Sequence, residues 1–182
     1  MSIRLDHIAY RTVDRKKTVD LLCKLYNYQV QDEFVLDFDD GTQAKCSALE
    51  PKDNYLKTII HHQVTLNFYD QEINEYYKPP EFFVSEGKPG SIVYEWLKAK
   101  GIQSGIHHIA LEVASVKDTM KWWLEKGFCG FSTEEPIYCP ESGLMQIFTK
   151  EVPELGHVIE FISRTDKGFC SSSVKKLIEM SK

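Results

Sequence analysis

The apolar positions of this chain follow two alternating patterns, and the patterns occur in the same order twice. Strand-like alternation opens the sequence over residues 3–12 and is followed by helical spacing, in which Val19, Leu22, Cys23 and Tyr26 share one face. The same succession returns at residues 105–113, followed by Met120, Trp123 and Leu124 on a helical face. Asp14 and Ser115 stand immediately before the two helical segments. Both are favourable N-caps, because their side-chain oxygens accept backbone N–H groups that have no partner within the helix.

The correspondence extends to single residues. His7-Ile8-Ala9-Tyr10 recurs as His108-Ile109-Ala110-Leu111 at an offset of 101, which also carries Thr18 onto Thr119 and Leu22 onto Trp123. Near the end of each copy, Glu81-Phe82-Phe83-Val84-Ser85 resembles Glu160-Phe161-Ile162-Ser163 at an offset of 79. The two offsets differ by 22 residues, which we assign to an insert in the first copy near residues 36–62, where turn-forming residues cluster.

Each copy therefore reads as strand, helix and a meander of three strands, a βαβββ module. The first module is expected over 1–90, with strands 3–12, 28–37, 62–69 and 80–85 around a helix 15–27. A linker with a short helix opened by Ser91 fills 91–104. The second module occupies 105–164, with a helix 116–127 and strands 129–134, 143–150 and 157–163. A helical tail, 165–182, closes the chain. The predicted fold class is α+β.

Composition narrows the picture. The 182 residues carry a net charge of −5, which argues against nucleic acid or an anionic membrane as partner, since both select a basic surface. Residues 1–17 lack the apolar core of a signal peptide, and no run is long and apolar enough to span a bilayer, so a cytoplasmic location is expected. The five cysteines form no C-x-x-C pair and read as thiols of a reducing compartment. Gly-rich phosphate loops are absent, and Asp37-Phe38-Asp39-Asp40 lacks the oxygen spacing of a calcium loop.

Four polar residues stand where apolar ones belong. Glu160 lies within Val158-Ile159-Glu160-Phe161-Ile162, and His7 and His108 each sit inside an apolar strand. Glu81 leads into Phe82-Phe83-Val84. A carboxylate buried in such a setting is costly unless a cation or hydrogen bonds compensate. Two imidazoles with carboxylates suit one divalent ion such as Fe(II), Ni(II), Co(II), Zn(II) or Mn(II). His107 is expected on the opposite face of its strand from His108, in a structural role. His61 or His62 could line a pocket. The aromatics Trp96, Trp122, Trp123, Tyr76 and Tyr77 are more economically read as packing residues than as a wall for a flat ligand.

These residues resemble the vicinal oxygen chelate superfamily, in which paired βαβββ modules form a half-open mixed β-barrel cup around a metal. The resemblance implies His7, Glu81, His108 and Glu160 as metal ligands. Ser91-Ile92-Val93-Tyr94-Glu95-Trp96-Leu97, Gly105-Ile106-His107-His108-Ile109-Ala110-Leu111 and Glu81-Phe82-Phe83 are similar to methylmalonyl-CoA epimerases. Gly143-Leu144-Met145-Gln146-Ile147-Phe148-Thr149-Lys150 and Glu160-Phe161-Ile162-Ser163-Arg164 are similar to the C-terminal half of 4-hydroxyphenylpyruvate dioxygenases.

Counting ligands separates the chemistries these resemblances imply. With four protein ligands an octahedral ion keeps two open positions, enough to chelate a small oxo- or hydroxy-acid or thioester and stabilise an enediolate. Glu81 or Glu160 would then move the proton, as in an epimerase, isomerase or lyase. With His7, His108 and Glu160 alone, three positions stay open, as an Fe(II) dioxygenase acting on a 2-oxo acid requires. The completeness of the four-residue set places the proton-transfer enzyme first and the dioxygenase second. A metal-free, resistance-type binding protein is a third reading, disfavoured by that same set. The expected partner is a small-molecule substrate, and a homodimer is compatible with the modular plan.

Overall fold

The computed structural model describes residues 3–52 and 79–164, together with Lys175 and Glu179. The strands are β1 (Ile3–Thr12), β2 (Tyr28–Asp37), β3 (Gln43–Pro51), β4 (Glu81–Gly87), β5 (Ser104–Val113), β6 (Ile137–Tyr138), β7 (Met145–Phe148) and β8 (Val158–Ser163). Among the described residues the helices with defined bounds are α1 (Arg15–Tyr26), α2 (Ile92–Lys100) and α3 (Val116–Glu125); Lys175 and Glu179 are helical too. The architecture is α+β, as the sequence predicts. All eight strands join one mixed sheet, in the order β2-β3-β4-β1-β5-β8-β7-β6, curled into a half-barrel.

The helices begin where their caps predict. Asp14 accepts from the Lys17 N–H at 3.0 Å, Ser91 from Tyr94 at 3.3 Å and Ser115 from Asp118 at 3.3 Å. Helix α1 stops at Asn27, whose left-handed φ of 58° ends the i to i−4 ladder.

The order of strands repeats as faithfully as the sequence does. β1 and β5 pair antiparallel at the centre, with Ile8 opposite Ile109, and each next pairs in parallel with the last strand of its own module, β4 or β8. The offset of 101 maps His7↔Ala110 onto Ala9↔His108, so a local two-fold axis passes between Ile8 and Ile109. Helices α1 and α3 pack on one face of the sheet. Val19 and Leu22 meet Leu49, Phe82 and Val84, while Val116 meets Ile147, Ile159 and Phe161. Each such fully buried aliphatic or aromatic side chain contributes about 1.5–3 kcal/mol of transfer free energy. The opposite face is the concave one. In the first module Ala9, Ala44, Cys46 and Phe83 lie there against Ile92 and Val93 of α2.

Two elements differ from expectation. β3 lies inside the 36–62 span assigned to the insert, because Asp39-Asp40-Gly41 closes a tight hairpin rather than opening a long loop. The Phe38 N–H bonds the Thr42 carbonyl at 2.9 Å, and β3 pairs with both β2 and β4. The strand expected at 62–69 lies outside the described residues, as do His61, His62, Tyr76 and Tyr77. In the second module, 129–134 contributes only one bridge, Phe131 to Thr149, and β6 forms at 137–138 instead. Pro136, which carries no N–H, precedes it and delays regular pairing.

Cys23, Cys46 and Cys129 are free, whereas Cys139 is disulfide-bonded, which corrects the expectation of thiols throughout. Spacing alone gave no sign of a single bridge. No helix among the described residues is long and apolar enough to cross a membrane.

Candidate metal centre

His7 on β1, His108 on β5 and Glu160 on β8 point from the concave face toward a common centre. The His7 Nε2 to His108 Nε2 distance is 3.1 Å, and the Glu160 Oε2 stands 3.2 Å from each ring nitrogen. Three donors around one divalent ion at about 2.1 Å stand roughly 3.0–3.4 Å apart in octahedral or tetrahedral geometry, so the triangle fits. All three side chains are buried. Among the described residues this is the one His/Cys/Asp/Glu group able to hold a metal ion. The donor types, two imidazoles and one carboxylate, match the facial triad of non-haem iron oxygenases.

Glu81 is not brought into the set. In the first module His7 pairs with Glu81 and Ala9 with Phe83, whereas in the second His108 pairs with Val158 and Ala110 with Glu160. Ala9 and Ala110 correspond by the offset of 101, so the positional counterpart of Glu160 is Phe83 and that of Glu81 is Val158. Aligning the two Glu-Phe segments by sequence slipped β4 by two residues. The position stays on the same face, with its Cα displaced by about 6.6 Å along the strand. Glu81 is half-buried at the start of β4. Phe83 is buried against Phe34, with ring centroids 5.7 Å apart.

The electrostatics follow from burial and proximity. Burial pulls the His7 pKa down, but the Glu160 charge and the Asp6 hydrogen bond overcome it, leaving His7 at about 9 without a metal. For Glu160 burial pushes upward, yet the charge on His7 and hydrogen bonds from both histidines bring it to about 2. His108 is lowered, first by burial and then by the charges of His7 and Arg11, although Glu160 opposes this. Hence in the metal-free protein one proton resides on the His7 side of the triangle and none is needed on His108.

Sequence reasoning missed the residues that surround the triad. The Asp6 Oδ1 accepts from the His7 Nδ1 at 2.6 Å, and Arg164 donates to both Asp6 oxygens at 2.7 Å. Arg4 reaches Glu112 and stands 3.6 Å from Asp6. Burial lowers the Arg164 pKa, but Asp6, followed by Glu81 and Glu160, holds it above its ordinary value. The signal available in the sequence was an aspartate next to a candidate ligand, since ligating imidazoles usually donate their second N–H to a carboxylate.

His107 differs from its expected placement. It does not turn away from His108, because β5 bulges there, and its Nδ1 lies 2.9 Å from that of His108. Its ring is buried against Trp96, at 5.4 Å, and Phe148, at 5.9 Å. Of the other tryptophans Trp123 packs against the sheet, whereas Trp122 is exposed. Trp123 meets Phe161 at 5.3 Å and Phe128 at 4.5 Å, and Trp122 meets Phe128 at 6.0 Å.

Phe148, opposite Glu160 in register, lies 4.7 Å from the His108 ring and helps close the centre to water. Gln146 shares its face with Glu160, one pleat along β7. It is buried, and its Nε2 has no hydrogen-bond partner among the described residues.

Comparison with known proteins agrees on the fold. No family model matches the chain, and no curated protein matches it. Among solved structures, a triple variant of 4-hydroxymandelate synthase from Streptomyces coelicolor matches 98% of this chain, with a TM-score of 0.71 and 16% identity. This chain spans about half of that protein, 53% of its length. A methylmalonyl-CoA epimerase in complex with methylmalonyl-CoA and ammonium matches over 93% of this chain and 100% of its own, with a TM-score of 0.59 and 19% identity. A variant of the Streptomyces coelicolor epimerase bound to 2-nitronate-propionyl-CoA gives 0.57 and 20% identity over 89% of this chain and 97% of its own. The chain has the vicinal oxygen chelate fold.

Proposed function

We propose that the protein is a metal-dependent dioxygenase acting on a small 2-oxo acid, with iron(II) held by His7, His108 and Glu160. One observation carries the choice. Three donors converge, and Phe83 stands where the repeat would have put a fourth. Proton-transfer chemistry is the expectation when Glu81 counts as a fourth ligand. The convergence of three donors supports placing the dioxygenase first. An ion held by these three residues would keep positions open for a chelating oxo acid and for O₂.

Bound there, the ion would supply substrate chelation and oxygen activation. The chain's residues do the rest. Glu160 contributes the negative charge that keeps a dication favourable in a buried centre. Phe148 and Val158 supply an apolar wall beside it, which limits water. Gln146 presents an unused amide N–H₂ on the same face, suited to an oxygen atom of the substrate; leaving it unpaired costs about 1–3 kcal/mol.

The test is oxygen uptake by iron(II)-reconstituted protein presented with aryl and aliphatic 2-oxo acids. Consumption of O₂ in step with substrate is the expected result. Absence of uptake with every 2-oxo acid, in protein shown to hold iron, would overturn the assignment.

A second reading is kept alive by Glu81. It lies on the concave face in register with His7, half-buried and outside the triad, where its carboxylate could act as a general base. That reading is the metal-assisted epimerase, isomerase or lyase. It predicts exchange of a substrate α-hydrogen with deuterium from D₂O and no oxygen consumption.

A further inference from the structure

The central strand pair contains two bulges. β1 pairs Leu5 with Leu111 and His7 with Ala110, which skips Asp6; β5 pairs Ala9 with His108 and Tyr10 with Ile106, which skips His107. Asp6 and His107 differ by 101 in number, the offset that relates His7 to His108. The bulge is therefore duplicated with the module. In regular strands a residue next to a ligand faces the other side of the sheet. At a bulge it is re-aimed, and here each bulged residue reaches the Nδ1 of the histidine that follows it.

The two bulged residues are chemically different. Asp6 is an anion, fixed by two hydrogen bonds from Arg164, so the His7 Nδ1–H donates to a carboxylate. Arg164 follows β8, the strand of Glu160, and its pairing with Asp6 reaches across β5 to tie β1 and β8, the outer two of the three strands that carry the triad. His107 is a second imidazole, enclosed by Trp96 and Phe148. When Nε2 of His108 faces a metal, its Nδ1 carries the hydrogen and donates to the His107 Nδ1 lone pair, a bond between neutral groups. Hydrogen bonds to an ionised partner are roughly twice as strong, and a carboxylate partner raises the basicity of a ligating imidazole.

We infer that the duplicated bulge makes Asp6 and His107 positioning residues of unequal strength, so that His7 is the strongly donating, metal-retaining imidazole and His108 the weaker one. The inference rests on the metal triad and not on which reaction it serves.

The decisive measurement needs no mutation. In Zn(II)-loaded protein labelled with ¹⁵N-histidine, the His7 Nδ1–H proton should resonate well downfield of that of His108. Equal shifts overturn the inference. Variants supply the second arm. Asp6→Asn should lower Co(II) affinity about 10–100-fold, with partial recovery in Asp6→Glu, whereas His107→Gln, which still offers an acceptor, should cost less than about 10-fold. Equal losses in Asp6→Asn and His107→Gln, or no loss in Asp6→Asn, would refute it. Failure of the wild type to bind Zn(II) or Co(II) at all would overturn this inference together with the metal centre. Binding with unequal shifts but without oxygen uptake would leave it standing while the dioxygenase reading falls.

Discussion

Metal binding at this centre should release a proton, and the count can be worked out from the triangle. Without a metal, His7 titrates at about 9, because the Glu160 charge and the Asp6 hydrogen bond outweigh the burial that would lower it. Glu160, at about 2, is already ionised near neutrality, and His108 is shifted downward. A divalent ion at neutral pH therefore has one proton to displace, the one on His7. Competition from that proton weakens the apparent affinity by a factor of about 100 at pH 7 and about 2 at pH 9. Affinity for Mn(II) should consequently rise roughly 50-fold between those values and then level off. Calorimetric titration in two buffers of different ionisation enthalpy would count the protons directly, with close to one expected at pH 7 and almost none above pH 10. A chelator competition would supply the affinities. Binding that releases no proton at pH 7, or affinity flat from pH 7 to pH 9, would refute the coupled His7–Glu160 pair from which the prediction is derived.

The same shift fixes the pH dependence of stability in the metal-free protein. The folded-state value of His7 lies above its unfolded value, so its stabilisation is complete below about pH 6.5 and lost as pH rises through 9. The metal-free melting temperature should fall across that window, and saturating metal should abolish the decline. Glu81→Gln should retain one metal per chain with nearly unchanged affinity, as metal analysis would show; loss of the ion would restore Glu81 as a ligand. Gln146→Leu should raise KM for the substrate about 10-fold with little change in kcat, and thermal stability should hold or improve once a buried unpaired amide is gone. Gly87→Ala should cost about 1–2 kcal/mol in denaturant titration, because a Cβ there would come within 2.0 Å of the Ser91 Oγ and displace the cap of α2. An unchanged midpoint would contradict that packing argument.

Local signals in the sequence proved dependable where local forces act. Caps at Asp14, Ser91 and Ser115 start three helices because a side-chain oxygen meets a backbone N–H within one turn. His7 and His108 were legible as partners because duplication preserved both their order and their surroundings. Glu160 stood out because ionised carboxylates are costly in apolar strands. The second strand of the second module was not legible, since a two-residue strand carries no period.

The sequence alone thus carries the repeat that the strand order follows, and the two histidines and glutamate whose side chains converge. Only the tertiary structure decided which of the candidate donors converge, His7, His108 and Glu160. Glu81 and Glu160 open nearly identical segments, but which atoms meet depends on hydrogen-bond register between strands distant in sequence. A slip of two residues keeps the face and the hydrophobic pattern intact, so no local signal can report it, yet it shifts the Cα position along the strand by about 6.6 Å. The bulges at Asp6 and His107 are equally long-range features, since an unpaired residue is defined only by the strand opposite. Register decided which side chains converge, and the bulges decided which groups stand beside the two histidines.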